Sequence, residues 1–325
     1  MGRIHISDIE AAQTRIKGHV VRTPLLSARP LSRALSCEVR LKPEFLQETG
    51  SFKLRGASNA MLSLDAATRA RGVVTASSGN HGPALACAAT RLGVASTICL
   101  SEMVPENKIA NVRANGGTPR VEGRDYDVSL RICMGLVRDE GLHLVHPFDD
   151  PDVAAGAGTV GLELAEDARD LDCVLVPLSG GGLLAGIATA LKARSPQTRV
   201  IGVSMERGAS MVASWKAGRP VEVQEEDTIA DALGGGIGLD NQWTFETVRD
   251  LVDDCVTVTE DQIKDAIRLI FATQGFMVEG AGAVGVAALM CGKVTPDGPA
   301  ACVLSGRNIA HQAFWDVIQE KGLPA

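Results

Sequence analysis

Short apolar runs alternate along this chain with longer alanine- and leucine-rich segments, and that alternation constrains the fold most. Residues 72–76, 95–100, 172–177, 199–204, 255–258 and 301–304 read as strands. Helices are expected over 83–92, from near Pro105, and over 127–139, 183–192 and 262–272. Strands this uniformly apolar are buried on both faces, the habit of parallel sheets covered by helices. The expected fold class is therefore α/β.

With 325 residues, the chain can hold two domains of ordinary size. A break in the run His146-Pro147-Phe148-Asp149-Asp150-Pro151 suggests a return between two lobes. The 35 glycines, about 11% of the chain against a usual share of about 7%, imply many tight turns and close backbone approaches. A net charge of −7 and the lack of a long basic run argue against a nucleic-acid partner. The first residues lack the apolar stretch of a secretory signal, and the apolar run 278–290 is too short to cross a bilayer, so no membrane association is expected. Eight scattered cysteines form no close CxxC pair, which fits buried free thiols in a reducing cytoplasm.

Three segments carry chemistry. Ser179-Gly180-Gly181-Gly182-Leu183 follows one expected strand and opens one expected helix. Its glycines let backbone amides approach a phosphate, and the helix amino terminus adds favourable potential. No Lys-Ser/Thr follows, and no GxGxxG with a distal acid is present, so nucleoside triphosphates and nicotinamide dinucleotides fit poorly. Ser77-Ser78-Gly79-Asn80-His81-Gly82 sits at a second strand-to-helix junction, where its donors could hold a carboxylate or phenolic oxygen, or simply cap the helix. The third segment, Gln47 to Gly56, contains Lys53. A desolvated lysine can form a Schiff base; a solvated Lys53–Arg55 charge run is the bland alternative.

These segments, taken with Arg22-Thr23-Pro24-Leu25, Lys42, Glu44, Pro105, Lys108, Thr228-Ile229-Ala230-Asp231, Glu279 and Ser305-Gly306-Arg307-Asn308, closely resemble the serine/threonine dehydratases of the fold-type-II pyridoxal-phosphate enzymes, a branch that includes serine racemases. The resemblance spans nearly the whole chain. It implies the tryptophan-synthase-beta-like fold of two open parallel-sheet domains, with residues 1–65 and 148–325 binding the cofactor and 66–147 closing on the substrate. It also implies a cytoplasmic homodimer that uses pyridoxal 5'-phosphate to turn a small 3-hydroxy amino acid into a 2-oxo acid and ammonia.

Carried over residue by residue, Lys53 resembles the Schiff-base lysine and α-proton base. Asn80 resembles the partner of the cofactor's phenolic oxygen, and Ser77, Ser78, Gly79, Asn80 and His81 the substrate-carboxylate cradle. Gly180, Gly181, Gly182 and Leu183 resemble the phosphate loop, and Ser305 the partner of the pyridine nitrogen. Phe52 and Glu279 are expected beside the cofactor. Ser78 also matches the second acid/base of serine racemases, which keeps racemisation as an alternative; outside enzymes, a noncatalytic cofactor or amino-acid binding protein is the alternative.

The departures are informative. Ser179 replaces the first glycine of the commoner four-glycine loop, and Ala157 replaces a glutamine. Ser204 and Ser210 stand where metal-dependent racemases carry carboxylates, so no metal is expected. Arg307 replaces a glycine near Ser305, where it could pair with a protein carboxylate or meet a substrate's distal group. Arg307 and the serine-bearing loop together resemble the hydroxyectoine-utilisation dehydratases.

Overall fold

The structure, a computed structural model, describes residues 2–124 and 126–324; Met1, Asp125 and Ala325 lie outside it. Its strands are β1 (Leu26–Ser27), β2 (Val39–Pro43), β3 (Val73–Ala76), β4 (Ser96–Leu100), β5 (Thr118–Val121), β6 (His143–Leu144), β7 (Cys173–Pro177), β8 (Arg199–Met205), β9 (Asp254–Val258) and β10 (Ala300–Leu304). They form two sheets. The larger runs β1-β2-β10-β7-β8-β9 and is parallel except for its edge strand β1. The smaller, β5-β4-β3-β6, is parallel throughout and built entirely from residues 73–144.

The strands legible as apolar runs are mostly central ones, β3, β4, β7, β8 and β10, with β9 at an edge. Every residue of β3, β7 and β10 is buried, as double-sided helix cover requires. Of the strands that sequence reasoning passed over, β1, β5 and β6 are sheet edges, while β2 is a mostly buried interior strand in which Arg40 and Lys42 interrupt the apolar run. Thr118-Pro119-Arg120-Val121 is largely exposed at a sheet edge, where a proline costs no ladder hydrogen bond facing a neighbour.

The helix Pro151–Asp167 was not anticipated either. Asp150 caps it by accepting from Val153 N at 2.9 Å, and Pro151 sits in its first turn. It is buried from Val153 to Leu164, so it lacks the one-sided pattern that marks a surface helix. Glycines bring it against its neighbours. A Cβ on Gly156 would fall 2.5 Å from Arg55 O, in the helix Lys53–Ser63, and one on Gly158 would fall 3.0 Å from Gly186 Cα, in the helix Gly182–Arg194.

The apolar run 278–290 forms the 11-residue helix Gly280–Met290, buried as far as Leu289. No helix among the described residues is long and apolar enough to cross a membrane. All eight cysteines are free; six are buried, and Cys37 and Cys291 are half-buried.

Beneath the helix carrying Lys53 lies a buried ionic cluster. Lys42 Nζ donates to Glu163 Oε2 at 2.6 Å and to Thr23 O at 2.7 Å. Arg55 bridges Glu44 and Glu163, with Nε at 2.7 Å from Glu44 Oε2 and Nη1 at 2.7 Å from Glu163 Oε1. Two cations and two carboxylates balance. Burial pushes the Lys42 amine down against the pull of Glu163; it would also push Glu44 up, but Arg55, Thr23 and Lys42 together hold that carboxyl below its usual range. Arg55 is thus a structural cation whose donors are committed inside the cluster.

Candidate active site

A cavity of about 360 Å³ opens at the carboxyl ends of β3, β7 and β10, where loops from both sheets converge. Ligands of open α/β sheets favour this location, because strand ends there turn into helix amino termini. Phe52, Lys53, Ser77, Ser78, Gly79, Asn80, His81, the 180–183 loop, Glu279 and Ser305 all line it. Segments more than two hundred residues apart in sequence therefore share one cleft.

The Lys53 segment is fixed by the last strand. Phe52 N donates to Ser305 O at 3.0 Å, and Ser51 forms an antiparallel bridge with Gly306. Lys53 then opens its helix with the side chain in the cavity, where Nζ donates to Pro147 O at 2.5 Å and lies 5.2 Å from the Phe52 ring centroid. No carboxylate pairs with it among the described residues. Burial alone pushes the amine down to about 8, so an appreciable fraction is neutral near pH 7.

After β7, Gly181 takes φ +89°, a left-handed conformation that favours glycine, and the helix Gly182–Arg194 begins. The first amides of a helix have no intrahelical acceptor and offer their N–H groups outward. A Cβ on Gly180 would run into the Phe148 ring, so the loop's close packing excludes any larger residue. A backbone cradle at a helix amino terminus, lined by glycines and facing a desolvated lysine, fits a phosphate-bearing aldehyde cofactor.

The second loop divides its labour. Ser77 Oγ accepts from Gly79 N at 3.3 Å and from Gly82 N at 3.2 Å, holding the turn itself, while the half-buried Ser78 lines the cavity. His81 is buried, and its Nε2 lies 3.1 Å from Val145 O. A carbonyl only accepts, so Nε2 carries the proton. Burial first, and Lys53 second, push this imidazole down to about 3, so it stays neutral at physiological pH. His146 is likewise held down, to about 4, chiefly by burial.

Glu279 is buried, with Oε1 accepting from Asn80 Nδ2 at 2.8 Å and Oε2 from Asn308 N at 2.9 Å. Burial and then Asp231 raise its carboxyl to about 7, against those hydrogen bonds. Asn308, not singled out from sequence, donates through Nδ2 to Asn80 Oδ1 at 2.7 Å. Its position in the quoted Ser305-Gly306-Arg307-Asn308 run was the available signal.

Arg307 departs from expectation. Its side chain is exposed and absent from the cavity lining, and its backbone N–H donates to Gly50 O at 3.0 Å. The turn after Ser305 carries residue 307 out of the cleft and sets Asn308 behind Asn80, outside the cavity lining. The described residues contain no cluster of His, Cys, Asp or Glu able to hold a metal.

Residues 16–306 match the family model of the pyridoxal-phosphate dependent enzymes. The chain is 41% identical to the L-threonine ammonia-lyase of Thermotoga maritima, covering 98% of this chain and 79% of that one. It is 50% identical to a Sinorhizobium fredii protein provisionally named a threonine dehydratase, over 98% and 96% of the two chains. Among solved structures, maize serine racemase superposes with a TM-score of 0.91 at 33% identity, covering 98% of this chain and 97% of that one. Fold, site and similarity together define a pyridoxal-phosphate-dependent enzyme of the α/β class with two parallel-sheet domains. More particularly, the chain belongs to the threonine-dehydratase/serine-racemase family of the fold-type-II enzymes.

Proposed function

We propose that this enzyme is a dehydratase, or ammonia-lyase, of a small 3-hydroxy amino acid, releasing a 2-oxo acid and ammonia. The observation that carries the reading is Lys53. It is a desolvated amine with its pKa lowered to about 8, in a cavity shared with a glycine-lined helix amino terminus. The named activities of the Thermotoga maritima and Sinorhizobium fredii relatives point the same way.

The amides of Gly180, Gly181, Gly182 and Leu183 would hold the cofactor phosphate. Ser305 would meet the pyridine nitrogen and Asn80 the ring oxygen, with Phe52 packed alongside. When bound, pyridoxal phosphate supplies an electron sink for the substrate α-carbon. Lys53 Nζ would hold the cofactor aldehyde, and the same amine is placed to accept the substrate α-proton. Ser78, Gly79 and the Asn80 and His81 backbone would receive the substrate carboxylate. A neutral Ser305 hydroxyl, unlike an aspartate, would not hold the ring nitrogen cationic, a setting suited to elimination of the β-hydroxyl. Residues 66–147 are taken as the closing lobe, residues 1–65 with 148–325 as the cofactor lobe, and the assembly as a homodimer.

Ser78, in the same cavity as Lys53, supports a second reading as a racemase, as does the likeness to maize serine racemase. Incubation with L-serine or L-threonine, following both the 2-oxo acid and the inverted amino acid, separates the two. Inversion without 2-oxo acid would overturn the dehydratase reading. Arg307, one of two features behind the hydroxyectoine assignment, lies outside the cavity, so the substrate class is left at small 3-hydroxy amino acids.

A further inference from the structure

Asn80 can serve an anionic oxygen only if its amide nitrogen, and not its carbonyl, faces the cavity. A free asparagine side chain can turn either way. Here the turn is decided by a backbone carbonyl more than thirty residues away. Asn308 Nδ2 lies 2.9 Å from Thr49 O, and a carbonyl can only accept, so that atom must be the nitrogen. The same nitrogen lies 2.7 Å from Asn80, which must therefore present Oδ1 to it. Asn80 Nδ2 is then left facing Glu279 Oε1 at 2.8 Å, and the second N–H of that nitrogen remains uncommitted. Glu279 closes the triangle by accepting from Asn308 N at 2.9 Å.

Two glycines keep room for this arrangement. A Cβ on Gly50 would fall 2.5 Å from Asn308 Oδ1, and one on Gly306 would run into Glu279 Oε1 and come within 3.2 Å of Asn80 Nδ2. The three corners also come from different parts of the chain. Asn80 follows β3 of the smaller sheet, Glu279 precedes the helix Gly280–Met290, and Asn308 follows β10 of the larger sheet.

We infer that Asn308 and Glu279 are positioning residues that lock the Asn80 amide with one N–H aimed at the cofactor's ring oxygen. This rests on the cofactor placement proposed above. Truncation (Asn308→Ala) removes the lock, and Asn308→Asp reverses its polarity by setting acceptors against Thr49 O and Asn80 Oδ1.

The test uses cofactor-loaded enzyme. Borohydride reduction first checks that the cofactor is attached to Lys53 in the wild type and both variants. The pH titration of the bound cofactor's visible absorption is then compared, along with kcat, KM and the melting temperature of the cofactor-free protein. Both variants should move the titration midpoint by about one unit or more. They should lower kcat at least about tenfold with KM within about threefold, and the aspartate variant should be the worse. Should the aspartate variant fail to fold, Gly306→Ala, which pushes a methyl into the triangle, should move the midpoint likewise. A bound chromophore that titrates as in the wild type, in variants whose Lys53 attachment is intact, overturns the lock. Absence of attachment in the wild type overturns the cofactor placement as well.

Discussion

At the scale of single residues, the site works by controlling which groups are charged. Lys53 is lowered because burial penalises an ammonium, so the free amine accumulates as pH rises through about 8. The rate at which cofactor-free protein captures pyridoxal phosphate should climb with pH and level off above about 8, as stopped-flow absorbance would show. A flat profile between pH 6 and 9 would contradict the desolvated amine. Lys53→Ala should abolish the borohydride-stable attachment and lower turnover by roughly 10²–10⁴-fold or more. His81 is held neutral down to about pH 3, so its ring keeps the single proton on Nε2 and gains no second one in the working range. Replacing it should change KM or stability while leaving the shape of the kcat–pH profile between 5 and 8 intact. Arg307, exposed outside the cleft, is expected to tolerate alanine with kcat/KM changed by less than about twofold for serine and threonine. A selective loss for 3-hydroxyaspartate would return it to substrate recognition.

Among elements, the helix that carries Lys53 is held from below by buried charge and from the side by glycine contacts. Arg55 satisfies two carboxylates at once, and its removal would leave Glu44 and Glu163 with only Lys42 to balance them. Breaking such a cluster from one side costs about 3–5 kcal/mol, because the remaining charge stays buried. Arg55→Met should therefore lower the melting temperature sharply in thermal denaturation. Gly186→Ala should destabilise by about 1–3 kcal/mol, since its new methyl would meet the Gly158 backbone across the helix pair. Sequence reading set Arg55 beside Lys53 as part of a solvated charge run, whereas the structure buries it in an ionic core. That distinction depends on Glu163, 108 residues further on. The helix Pro151–Asp167 escaped notice for a related reason: a helix buried nearly all round has no stripe to reveal it.

For the whole molecule, the cavity is a meeting of strand ends from two sheets, so cofactor binding should couple them. At 100 times its dissociation constant, pyridoxal phosphate should add about 2.7 kcal/mol to stability, raising a single cooperative melting transition. Two separated transitions, with only one shifted, would show that the lobes respond independently. The proposed dimer should sediment at twice the 34.0 kDa chain mass.

Much of this was legible in the chain itself. Uniformly apolar strands announced parallel sheets because burial on both faces leaves no polar alternation. The glycine loop between an expected strand and an expected helix announced a phosphate cradle because glycines let backbone amides come close. Lys53, Asn80 and Ser305 stood in motifs whose residue types suit one cofactor. Their convergence in a single cavity, Lys53's lowered pKa, the exposure of Arg307 and the Asn308 lock are tertiary facts. Each depends on how far a group lies from water and from partners distant in sequence, and the order of residues alone does not state those distances.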